Sequence, residues 1–172
     1  IVNFAMLIPS ALMQSMASFV SQNVGAGKHK RARQAMFTGM GVGLAFGAAV
    51  FALVMLQGDV LAGIFTTDAD VVANAYAYLK GFAPETLATA ILFTMLGYFN
   101  GNGKTLFVMA QGMVGALGVR LPVALLVSRA ADSSLFHLGL ATPASTVVQI
   151  FLCGIWYLRR SHRLNRLGLI RK

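Results

Sequence analysis

Apolar and charged positions along this chain come in blocks. Residues 1–27, 34–58, 86–103, 105–119 and 138–158 contain no Asp, Glu, Lys or Arg. A helix rises 1.5 Å per residue, so about twenty apolar residues cross a 30 Å hydrocarbon layer. The blocks predict five membrane-spanning helices, about 1–23, 35–57, 80–101, 105–128 and 138–158. The expected fold is all-α, a polytopic transmembrane bundle over 1–158 with a basic tail at 159–172. The chain starts on Ile1, and its first block lacks a basic lead-in. It therefore reads as a fragment cut near the start of a membrane helix, not as a signal peptide.

Composition agrees with the blocks. Apolar residues make up 57% of the chain and charged residues 11%, against about a quarter charged in soluble domains. A net charge of +9 suggests nucleic acid as a partner. Here, however, the charge sits in short clusters between apolar blocks, so no nucleic-acid partner is expected. Cys153 is the single cysteine, which excludes a disulfide framework and a cysteine metal cage. His29, His137 and His162 have no spacing suited to a metal site.

Five spans create two sides, and the charges divide between them unequally. One side carries Lys28, Lys30, Arg31, Arg33, Lys104 and the tail cations from Arg159 to Lys172, eleven in all and no acid. The other carries Asp59, Asp68, Asp70 and Asp132, with only Lys80 and Arg129 as cations. Cytoplasmic loops are the ones enriched in Lys and Arg. The loop holding Lys28, Lys30, Arg31 and Arg33 is therefore expected to be a cytoplasmic anchor, with the C-terminus also cytoplasmic.

Gly-Asn-Gly-Lys-Thr at 101–105 resembles the end of a phosphate-binding loop, but the required first glycine would fall on Tyr98. A tight turn fits better. No Ser/His/Asp set or carboxylate pair suggests an enzyme. In the second span, Gly39, Gly43 and Gly47 share one face, where small side chains let another helix approach. The first span mixes Met6, Met13 and Met16 with Asn3, Gln14, Ser18 and Gln22, a mixture suited to varied amphiphilic ligands. Pro84, Pro122 and Pro143 fall in the last three spans. Glu85 and Arg120 are opposite charges inside adjacent spans, where ions normally face partners or water. They are expected to approach one another in the outer half of the membrane, as a structural pair or an ion-coupling group.

Three segments resemble a known family. Ser-Met-Ala-Ser-Phe-Val-Ser-Gln-Asn-Val-Gly-Ala-Gly at 15–27, running on into the basic cluster, is similar to the close of the eighth helix of bacterial multidrug and toxic compound extrusion (MATE) transporters. Gly-Tyr-Phe-Asn-Gly-Asn-Gly-Lys-Thr at 97–105 resembles the family's turn between helices ten and eleven. The stretch from Val119 to Leu126, with its Arg-x-Pro, looks like helix eleven.

The resemblance implies a secondary active transporter with no cofactor. Such a protein exports drugs or other organic, often cationic compounds in antiport with Na⁺ or H⁺, by alternating access between two six-helix lobes. This chain would supply the last five helices of the second lobe. Its partners would be the lipid bilayer, the missing N-terminal lobe and small organic substrates. It would lie in the cell inner (plasma) membrane. The family's helix-ten acid falls near Thr89, one turn from Glu85, and Met6, Met13, Gln14 and Thr89 become substrate-cavity candidates. Two other readings remain open, a related lipid-linked saccharide flippase and a non-transporting membrane scaffold or channel subunit. The sequence preceding this segment discriminates them.

Overall fold

Gly-Ala-Gly-Lys at 25–28 and Gly-Asn-Gly-Lys at 101–104 perform the same local task twice. In the computed structural model, which describes residues 2–64, 68–129 and 135–166, Gly27 and Gly103 have φ values of 72° and 69°. This left-handed region is open to glycine without a Cβ clash. The Lys28 amide donates to the Asn23 carbonyl at 2.7 Å, and the Lys104 amide to that of Phe99 at 2.9 Å. One residue earlier, the Gly27 and Gly103 amides close onto Val24 and Asn100, each at 3.0 Å. Both sites are Schellman caps, which satisfy a helix's last carbonyls and reverse the chain.

The helices between these turns are α1 (Val2–Gly25), α2 (His29–Gly63), α3 (Ala69–Gly101), α4 (Thr105–Met113), a π-helix (Val114–Arg120), α5 (Leu121–Arg129) and α6 (Leu135–Arg166). There is no strand among the described residues, and the molecule is an all-α bundle. The stretches His29–Gly63, Ala69–Gly101 and Thr105–Val127 are long and apolar enough to cross a membrane. With 24 and 32 residues, α1 and α6 also have the length for a crossing.

Five sequence expectations change here, one being that the helix expected over 138–158 runs from Leu135 to Arg166 and so takes in the first part of the tail expected at 159–172. The basic cluster does not form a loop; it occupies the first turns of α2, which begins at His29 instead of 35. There the cations lie against rings, Arg31 over Phe19 at 5.7 Å and Arg33 over Phe37 at 5.9 Å and Tyr157 at 5.8 Å. Cation–π contacts of this kind allow a charge to sit on an otherwise apolar helix end. The second helix does not stop at 57. It kinks there, with Gln57 at φ −136°, and continues to Gly63. The third begins at Ala69, eleven residues before 80, because Asp68 caps it by accepting from the amides of Asp70 at 3.0 Å and Val71 at 3.4 Å. The span expected over 105–128 is interrupted by seven π-helical residues. Pro122 lacks an amide proton, and its ring would press on a carbonyl one turn back. The π-helical stretch ends two residues before Pro122 and contains Gly115 and Gly118.

The bundle is built around α3. In its most apolar stretch 67% of residues are buried, against 22% for α2 and 11% for Thr105–Val127. It packs along α1, α2 and α6, and touches α4 but neither the π-helix nor α5. The glycines of α2 make close approach possible. A Cβ on Gly47 would stand 2.7 Å from the Thr86 carbonyl oxygen, and one on Gly43 3.3 Å from Ala90 Cβ. At Gly39 the Met16 methyl group would be 2.5 Å away. The stripe thus faces α3 and α1, the packing surface that small residues provide. Near the turns, Leu92, Met95, Leu96, Phe99 and Cys153 form the main core, with Trp156 and Phe107 against Phe99 at 5.0 and 5.3 Å between ring centres.

Candidate functional site

Glu85 lies at the midpoint of α3, sixteen residues from Ala69 and sixteen from Gly101, about 24 Å along the axis either way. Counted from the Gly101 turn, the carboxylate stands about 24 Å along α3, which in a hydrocarbon layer of about 30 Å beginning at that turn is the outer half. Only 5% of the residue is exposed. Thr89, one turn along the same helix, donates its hydroxyl to Oε1 at 2.9 Å. Thr146 donates to the same oxygen from α6 at 2.8 Å. The second oxygen, Oε2, is buried and accepts no hydrogen bond. A buried acid with one oxygen held and the other bare is set up to take a proton or a small cation.

Polar groups continue around this point. Thr86 Oγ1 donates to the Gly47 carbonyl of α2 at 3.1 Å and to Ala83 at 2.8 Å. On α6, Ser145 adjoins Thr146 and reaches the other way, donating to the Gly115 carbonyl of the π-helix at 2.9 Å. Neighbouring hydroxyls of α6 therefore tie the Glu85 carboxylate to the irregular turn of the fourth span. All three hydroxyl residues are buried.

Arg120 does not pair with Glu85. It is exposed on the π-helix, which does not pack on α3. The expectation assumed regular α-helical phase in a fourth span lying along the third. The π turn breaks that phase, and α6 takes the place beside Glu85. Arg120→Gln should accordingly change thermal stability of the folded protein by no more than about 1 kcal/mol, as for an exposed charge. A loss of several kcal/mol on thermal unfolding would reinstate the pair.

The four cavity candidates do not gather around one void. Thr89, 1% exposed, is a partner of Glu85. Met13 packs on the core cluster of α3, Met6 is half-buried, and Gln14 is exposed. What α1 does present is a row of exposed positions, Asn3, Leu7, Ala11, Gln14, Ser18 and Ser21, at the three- and four-residue spacing of one helix face. Such a mixed polar face suits a water-filled passage or a protein surface better than lipid tails. Lys28, Lys30 and Arg31 are exposed at the start of α2, and Arg33 is half-buried there. Reading the sequence missed Thr146, Ser145 and Thr86. For the first two the signal was present as three hydroxyls beside Pro143 in an otherwise apolar block, Thr142-Pro-Ala-Ser-Thr at 142–146.

Comparison with known proteins agrees with this architecture. The family model described as MatE matches residues 1–126. The chain is similar to the multidrug resistance protein PmpM of Pseudomonas aeruginosa, with 28% identity over 117 residues, 68% of this chain and 24% of that protein. It thus spans about a quarter of the length of that curated relative. No solved structure matches it. With the family model covering well over half of the chain, and helices apolar enough to cross a membrane, this chain belongs to the MatE family of membrane proteins.

Proposed function

We propose that this chain is part of a secondary transporter that exports organic, often cationic compounds in exchange for Na⁺ or H⁺. The single observation that carries this reading is Glu85, a carboxylate buried at mid-helix with Oε2 unpartnered. Ionisable groups buried within membrane-spanning helices mark ion pathways and proton relays. The relative's name, multidrug resistance protein, fits the same function.

In this mechanism Oε2 takes up the coupling ion. Oε1 accepts from Thr89 on its own helix and from Thr146 on α6, so neutralising the carboxylate weakens the hold of α3 on α6. Charge-assisted hydrogen bonds are roughly twice as strong as neutral ones. Ser145 carries the change to the π-helix, which already departs from regular geometry. An ion that binds two conformations unequally shifts the population between them. Access to the passage along the polar face of α1 alternates as a result. The test is efflux of a fluorescent organic cation from vesicles holding the full-length protein, under imposed Na⁺ or H⁺ gradients. Efflux should follow one gradient and collapse with it; indifference to both would refute antiport.

The same reading puts the protein in the plasma membrane, with the α1–α2 turn and the end of α6 facing the cytoplasm. It rests on the eleven cations gathered at that end. A cysteine placed at His29, with Cys153 and all other cysteines of the full-length protein removed, should react with an impermeant maleimide only in opened cells. Labelling of intact cells would reverse the orientation.

A further inference from the structure

Away from Glu85, the ends of α4 and α6 nearest the Lys104 turn leave a groove of about 320 Å³. Phe107 and Trp156 stack in its wall with ring centres 4.8 Å apart and planes at 21°, which fixes the register of the two helices. One turn beyond Trp156 stands Arg159 at the rim. In the opposite direction come Gln111, then Val114 and Leu152. From Arg159 to Leu152 is about 10 Å along α6. The groove therefore runs from a cation through an aromatic pair and an amide to aliphatic side chains.

Arg159 is exposed and has no ion pair or hydrogen bond among the described residues. Neither α4 nor α6 contains an acid. Gln111 is only 4% exposed, and its Nε2 donates to the Val108 carbonyl at 3.1 Å. A side-chain amide carries two such protons, which leaves one for another acceptor. Val114 and Ile155, on the open side, are about half exposed.

We propose that this groove binds one anionic phospholipid of the cytoplasmic leaflet. The phosphate lies on Arg159, the ester region beside Trp156 and Gln111, and an acyl chain along Val114 and Leu152. The occupant follows from charge complementarity and from order. Basic pockets between membrane helices on the cytoplasmic side suit anionic headgroups, and aromatic rings favour the interface just beneath them. An organic cation, the other amphiphile at hand, would be repelled by an unpaired Arg159. The proposal rests on the cytoplasmic placement of the end of α6, and not on any transport activity.

The test uses the full-length protein with Trp156 as its sole tryptophan, in phosphatidylcholine vesicles doped with brominated-chain phosphatidylglycerol or brominated-chain phosphatidylcholine. Bromine quenches tryptophan on contact. Quenching of Trp156 should favour phosphatidylglycerol about fivefold, the preference that one cation near a membrane surface supplies. Arg159→Gln should remove the preference and Arg159→Lys keep it. Arg163→Gln, one turn further along α6, should leave it intact. Equal quenching by both lipids overturns the proposal, as does a preference that survives Arg159→Gln. Equal loss in Arg163→Gln would mean general attraction to the basic tail and also overturns it. Absence of quenching by either lipid would mean that protein covers the groove, and overturns the proposal as well.

Discussion

Glu85→Gln in the full-length protein should leave it folded, with gradient-driven efflux reduced roughly five- to 150-fold, the range that a coupling free energy of about 1–3 kcal/mol gives. Glutamine is close to isosteric with glutamate. Its carbonyl oxygen can still accept from Thr89 and Thr146, the two donors now on Oε1. The change replaces the bare Oε2 with an NH₂ group, which neither takes up a proton nor attracts a cation at neutral pH. Glu85→Ala should be worse in a different way. It strips the acceptor from two buried hydroxyls, at about 1–3 kcal/mol for each unsatisfied group, so folded yield falls as well. Thr146→Val separates the roles further. It keeps the carboxylate but cuts its link to α6, and should slow transport while the same ion remains coupled. Wild-type efflux from a Glu85→Gln protein would end the assignment of this residue to coupling.

Gly97→Ala should cost about 1–3 kcal/mol of stability, in the range of overpacked cores, and Gly97→Leu should abolish folded yield. A Cβ on Gly97 would lie 2.5 Å from the backbone carbonyl oxygen of Met13 and 2.8 Å from Met16 Cβ. Neither atom is the free end of a side chain, so α1 and α3 would have to separate. Gly47→Ala should behave alike, since its Cβ would meet the Thr86 carbonyl oxygen at 2.7 Å. Gly41 is the control. It is exposed on α2, and a Cβ there would meet nothing within 4 Å. Gly41→Ala should be neutral or stabilising by up to about 1 kcal/mol through helix propensity. Thermal unfolding of the purified full-length protein measures all three. An equal response at Gly97 and Gly41 would mean that α1 and α3 do not pack this closely.

What the sequence determined by itself was what depends on short range. Uncharged blocks of about membrane length specify helices, because backbone groups in hydrocarbon must bond within their own segment. The Gly-Asn-Gly-Lys turn at 101–104 was legible because a left-handed residue at a helix end depends on glycine alone. The start of α3 was equally local, in the Asp68 cap, yet it was passed over. In the charge pattern Asp68, Asp70 and Lys80 count only as charges of the outer side, because charges mark where an apolar block stops and not where a helix does.

The tertiary structure alone decided the partners. Thr146 lies 61 residues from Glu85, and nothing in the periodicity of either block shows which helix takes the place beside the carboxylate. Arg120 looked like the natural counter-charge because the third and fourth spans share a short turn. The π-helix at Val114–Arg120 and the packing of α6 against α3 decided otherwise. Helix pairing is settled by which surfaces allow the closest approach of two backbones, and that is a property of two distant segments fitted together, not of either one.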